Sequence, residues 1–137
     1  MSVPVAQHRP EHGSLPTAIS NAVVSLVREY TGRGPTRART TIRDNVVLVM
    51  LEDTLTRGEL ALARNGRESK VMEIRREFQD VMRAESSARV AQLTGRDVVA
   101  MMSANHVAPD LGAELFVLDS APSRNGDGAA GNGVPAP

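Results

Sequence analysis

The segment Thr31-Gly-Arg-Gly-Pro-Thr-Arg-Ala-Arg-Thr-Thr-Ile-Arg43 holds four arginines, Arg33, Arg37, Arg39 and Arg43, and no acid. Guanidinium groups bind phosphate or carboxylate through paired hydrogen bonds, and a glycine lets backbone approach a ligand closely. Arg33, Gly34, Arg37, Arg39 and Arg43 are therefore the candidate anion-binding residues, suited to an anionic ligand, a nucleotide or nucleic acid. The competing account is structural. Alternating arginines protect an edge strand from mispairing, and Gly-Arg-Gly-Pro then serves as helix stop and turn. The segment has no Walker-type Lys-Ser/Thr pair and no strand–GxGxxG–helix context. The balance lies with the structural account.

His106 and Asp110 are the weaker candidates. A histidine and an aspartate at a loop can form an acid–base pair, but such a pair more often shapes a turn, and nothing supplies an obvious nucleophile nearby. His8 and His12 have the spacing of helical metal ligands, yet Pro10 sits between them and no helix signal surrounds them. The chain has no cysteine, which excludes disulfides, thiolate zinc sites and cysteine nucleophiles. No catalytic residue, metal or cofactor is expected, and the chain reads as non-enzymatic.

Composition narrows the partners. Sixteen basic and sixteen acidic residues cancel over 137 positions, so no global attraction to nucleic acid or anionic membrane operates. Only Tyr30, Phe78 and Phe116 are aromatic, which leaves almost nothing for bases to stack on. Nucleic acid is an unfavoured partner. No apolar run approaches the roughly 20 residues of a membrane span, so direct membrane insertion is not expected. The first residues lack the apolar core of a signal peptide, and a cytoplasmic location follows by default.

Positioning these residues requires a set of elements. A helix is expected over 15–31, capped by Ser14, with Ile19, Ala22, Val23, Leu26, Val27 and Tyr30 as one apolar stripe. A hairpin, 36–43 and 46–52, turns at Asp44-Asn45. Its first strand gathers Arg37, Arg39, Thr41 and Arg43 on one face; its second is apolar at nearly every position. A short helix over 57–64 opens with the capping-box pair Thr56 and Glu59. A long helix over 67–93 is expected to bury Val71, Ile74, Phe78, Val81, Met82, Ala88 and Leu93, with Arg76/Asp80 and Glu85/Arg89 paired on its wet side. Strands over 96–105 and 113–119 complete the domain, 14–119. Residues 1–13 and 120–137 are rich in Gly, Pro and Ala and read as disordered tails.

Thr31-Gly-Arg and Thr94-Gly-Arg both end a helix and lead into two strands. The fold class expected is α+β: two helix–strand–strand units forming a four-stranded antiparallel sheet, helices mainly on one face, with one short extra helix. Antiparallel sheets covered on one side normally alternate apolar with polar residues, whereas three of these strands are apolar on both sides. Either loops and the short helix cover the spare face, or a partner does. A homodimer is the expected arrangement.

The blocks Ile19-Ser-Asn and Tyr30-Thr-Gly-Arg-Gly-Pro-Thr-Arg-Ala-Arg-Thr40, Arg75-Arg-Glu-Phe-Gln-Asp-Val-Met-Arg83, Leu93-Thr-Gly-Arg-Asp-Val-Val-Ala100 with Ser103 and His106, and Glu114-Leu-Phe-Val-Leu118 together resemble the MpsC-like family. The resemblance spans 16–119. It implies a place beside a sodium-translocating, membrane-potential-generating system, whose other parts are an ion-translocating membrane protein and a large soluble partner linked to inorganic-carbon supply. It supplies no catalytic residues. The expectation is thus a non-enzymatic accessory or interaction protein, a protein partner of a membrane ion-translocating complex. The alternative is a regulatory domain that binds an anion through Arg33, Arg37, Arg39 and Arg43.

Overall fold

A computed structural model describes residues 14–122. Of the expected tails 1–13 and 120–137, residues 1–13, with His8 and His12, and residues 123–137 lie outside the described residues.

Helix α1 (Leu15–Thr31) starts where Ser14 Oγ accepts the Thr17 amide hydrogen at 3.2 Å, and Pro16 occupies its first turn. It buries Ile19, Val23, Leu26 and Val27. Strand β1 (Arg37–Arg43) and strand β2 (Val46–Glu52) form a tight hairpin in which Asp44 takes a φ of +53°. Helix α2 (Arg57–Arg64) carries the full Thr56/Glu59 capping box. Helix α3 (Glu68–Thr94) follows, then strand β3 (Val98–His106) and strand β4 (Leu111–Leu118). The sheet order is β1-β2-β4-β3 with every neighbour antiparallel.

The Thr-Gly-Arg echo is a structural repeat. At α1 the Gly32 amide donates to Arg28 O at 2.9 Å with φ +81°; at α3 the Gly95 amide donates to Ala91 O at 2.9 Å with φ +70°. Thr31 Oγ1 donates to Val27 O and accepts from the Arg33 amide; Thr94 Oγ1 donates to Val90 O and accepts from the Arg96 amide. Each helix then feeds an edge strand, β1 or β3, and each edge strand hairpins into a central one. The left-handed position explains the glycine in both copies, since a Cβ there costs roughly 1–2 kcal/mol.

The core lies between the helices and one sheet face. Ile19, Val23 and Val27 of α1 and Met82 and Val90 of α3 pack on Val47, Val49, Leu51, Phe116 and Leu118. Tyr30 Oη donates to Glu85 Oε1 at 2.8 Å and ties α1 to α3; Ser20 and Thr40 hydroxyls, 2.7 Å apart, tie α1 to β1.

Three expectations need correction. The buried stripe of α3 is Val71, Arg75, Gln79, Met82, Ser86, Val90 and Thr94, while Val81 is 62% and Leu93 39% exposed. Glu59 of α2 draws in Arg75, and Asn105 and Glu114 of the sheet draw in Gln79, which turns Val81 and Leu93 outward. Asp80 pairs with Arg83, one turn away, while Glu85 and Arg89 do pair, at 3.4 Å. The second hairpin also spans Val98–His106 and Leu111–Leu118, because Arg96 belongs to the helix cap and a four-residue turn suffices between the strands.

Candidate functional site

Strand alternation divides the sheet into a helix face and an open face. Register places four cross-strand rows on the open face: Arg43, Val46, Val117, Ala100; then Thr41, Leu48, Leu115, Met102; then Arg39, Met50, Ala113, Ala104; and last Arg37, Glu52, Leu111, His106. The two central strands contribute Val46, Leu48, Met50, Leu115 and Val117, all half-buried only by their neighbours. Met102 is 54% exposed and Val99 62%. The helices pack on the other side. A polar strand face is the usual solution where water is the only cover. Here the face is apolar, with a row of arginines along one edge.

Those arginines part company. Arg37, Arg39 and Arg43 share the open face of β1, where Arg37 lies 4.0 Å from Glu52. Among the described residues, Arg39 and Arg43 have no ion-pair partner. Arg33 points elsewhere. Its Nη1 donates to Asp53 O at 2.7 Å and Leu55 O at 2.8 Å, and its Nη2 pairs with Asp53 Oδ2 at 2.9 Å. It clamps a turn in which Asp53 has a φ of +59°. At Gly34 a Cβ would lie 3.1 Å from the Arg28 guanidinium, so that glycine makes room for Arg28.

His106 and Asp110 are not joined to each other. His106 Nδ1 sits 2.8 Å from Pro109 O. Asp110 accepts from the Thr54 amide, the Thr54 hydroxyl and the Leu55 amide at 2.9 to 3.1 Å. Both side chains hold turns together, and Asp110 pins the Thr54-Leu55 loop before α2 to the β3–β4 connection.

A second polar group lies under α3, and the sequence reading does not anticipate it. Gln79 Nε2 donates to Asn105 Oδ1 at 3.0 Å and Glu114 Oε2 at 3.2 Å, Asn105 Nδ2 donates back to Gln79 Oε1 at 2.9 Å, and Ser103 Oγ donates to Glu114 Oε1. Beside it Arg75 pairs with Glu59 at 3.3 Å, both side chains almost fully buried. Burial pushes the Glu114 carboxyl up, against the opposing pull of the Ser103 and Gln79 hydrogen bonds and the Arg75 charge. The spacing Arg75, Gln79, Met82, Ser86 is a helical stripe in its own right, but a search for apolar residues passes over it. Among the described residues no group of three or more His, Asp or Glu side chains is placed to hold a metal ion, and no helix is long and apolar enough to cross a membrane.

The fold and its site define a class: an α+β protein whose sheet is armoured by helices on one side and left apolar on the other. The chain belongs to the MpsC family, since the family described as "Na+-translocating membrane potential-generating system (MpsC)" matches residues 11–120. No curated protein and no solved structure matches it.

Proposed function

We propose that this chain is a non-enzymatic, cytoplasmic accessory protein that works by protein contact within a sodium-translocating, membrane-potential-generating system. The family match supports the context. The open, apolar sheet face supports the mode of action, with self-association as its first contact, because the largest apolar patch on a protein surface is often a functional one. Complementation tests it. In cells lacking the chain, wild type should restore a sodium-dependent membrane potential read with a potentiometric dye, and Met102→Asp should not. Full restoration by Met102→Asp would leave the face without a role.

A second reading rests on Arg37, Arg39 and Arg43 standing in one row with only Arg37 near an acid: a regulatory site for an anionic ligand. Binding of nucleotides or short RNA should then weaken steeply with salt and drop in Arg37→Ala and Arg39→Ala. Unchanged binding in both variants removes this reading.

A further inference from the structure

We infer that the open face receives a second copy of this chain about a dyad parallel to the strands, so that β1 of each copy lies over β3 of the other. The inference rests on the reading of that face as a contact surface and gives it a partner and an orientation.

The sheet edges are closed to extension. On β3, Arg83 Nη1 donates to Met101 O at 2.7 Å, and the register breaks between Val98 and Ala100. On β1, exposed Arg37, Arg39 and Arg43 line the strand. Capped, irregular or charged edges resist strand addition. Two copies therefore meet face to face.

A symmetric pair of aligned sheets has two choices of dyad lying between them. A dyad perpendicular to the strands puts β1 on β1 and brings two sets of Arg37, Arg39 and Arg43 together, with Glu52 the one acid in those strand rows. A dyad parallel to the strands puts β1 on β3. There Ala100 and Ala104 are small, Met102 is flexible, and all three are exposed, which leaves room for arginine stems to lie along them. Asp97 and Asp119, both exposed and joined backbone to backbone at 3.0 Å, flank the row of Ala100 and Val117. Alternation from Val98 and Leu118 assigns them to the open side, where the incoming Arg43 arrives. Leu48 of one copy then meets Leu115 of the other. With sixteen charges of each sign the chains carry no net repulsion. The face spans roughly 19 Å across and 23 Å along the strands, comparable in size to the largest surface patch of a typical monomer, which is often functional.

The natural chain has no cysteine, so each introduced thiol is unique. Full-length Arg39→Cys and Ala104→Cys proteins are mixed and treated with a short bis-maleimide matched to the roughly 10 Å spacing of packed sheets. The mixture should give a covalent heterodimer well above the yield of either variant alone. Efficient coupling of Arg39→Cys to itself, or to Thr41→Cys, with none to Ala104→Cys, overturns the orientation but leaves the contact surface standing. Wild type that sediments as a monomer at every concentration overturns the dimer as well, and flotation of that monomer with anionic vesicles would give the face to a membrane. A dimer untouched by Met102→Asp and coupled by neither pair would move the interface off this face. Met102 is more than half exposed, so the aspartate variant should fold.

Discussion

The two faces of the sheet reverse the usual division of labour. The face under the helices holds Phe116, Leu118, Val47 and Val49, but also Glu114, Ser103 and Asn105, which meet Gln79 of α3 in a closed hydrogen-bond set. The outer face holds Leu48, Met50, Leu115 and Val117 with no element across from them among the described residues. Inside, Gln79, Asn105, Ser103 and Glu114 partner one another, while the buried Glu59 Oε2 and Arg75 Nε have no hydrogen bond among the described residues; outside, the apolar groups of the central strands are only half-buried. Buried polar networks specify one packing arrangement at an energetic cost, whereas apolar surface is non-directional and accepts whatever shape fits. The inner face fixes the fold of one chain; the outer face imposes no such directional pattern.

The sharpest way to break this contrast is to truncate neighbours on opposite sides of β4. Phe116→Ala should cost about 3–5 kcal/mol, the range for large-to-small changes in a closed core. Leu115→Ala should cost about 1 kcal/mol in the monomer, because its side chain is only half-buried. Urea melts of both at low protein concentration decide it. Equal losses would mean that the outer face is as well packed as the inner one. Arg75→Met should fall in the upper class too, at about 3–5 kcal/mol, since it strands the Glu59 carboxylate in a buried site. Adding Glu59→Gln to it should recover part of that loss.

The repeat offers a second comparison, between the two halves. Gly32→Ala and Gly95→Ala each put a Cβ at a left-handed position and should each cost about 1–2 kcal/mol. Similar losses in thermal melts would mark the caps as energetically equivalent. A loss at one position alone would mean that the shared geometry is not shared energy.

Much of this was legible before any coordinates. Ser14, Pro16, Gly32, Thr56 with Glu59, and Gly95 carry local signals whose physics acts within a few residues, and α1, β1, β2 and α2 follow from them nearly residue by residue. The doubly apolar strands also announced the uncovered face. What stayed hidden was long-range pairing. Gln79 looks like a solvated helix position until β3 and β4 bring Asn105 and Glu114 beneath it, Arg75 until α2 brings Glu59 beside it, and Arg33 looks like its neighbours on β1 until the Asp53–Leu55 turn folds back to meet it. For His106 and Asp110 the sequence offers a turn-shaping role beside the acid–base one, and in the fold His106 Nδ1 lies 2.8 Å from Pro109 O while the Asp110 carboxylate accepts from the Thr54 and Leu55 amides.

Glu114 separates the faces by pH. Burial raises its carboxyl above the ordinary value near 4.5, so the folded chain holds this proton more tightly than the unfolded one. Its favourable contribution is complete below the unfolded value and is lost as pH rises through the folded value. Glu114→Gln keeps the shape and removes the titration: its Oε1 accepts from Gln79 Nε2, and its amide nitrogen donates to the Ser103 hydroxyl in place of the bond that hydroxyl donates to Glu114. The variant's stability relative to wild type should therefore improve as pH rises above the ordinary carboxyl range and level off once pH has passed the folded value. A difference that stays flat across the range would mean that the Glu114 carboxyl is well solvated and the inner network open to water.

The smallest effect on stability belongs to the outer face, and there the concentration dependence matters more than the size. Met102→Ala removes a side chain that water already reaches, so the dilute monomer should change by no more than about 0.5 kcal/mol. If a second copy covers the face, association stabilises the folded chain by mass action. Wild type should then gain thermal stability with concentration, and Met102→Ala should gain less. Parallel curves, with the melting temperature independent of concentration in both proteins, would mean that the exposed methionine meets only solvent.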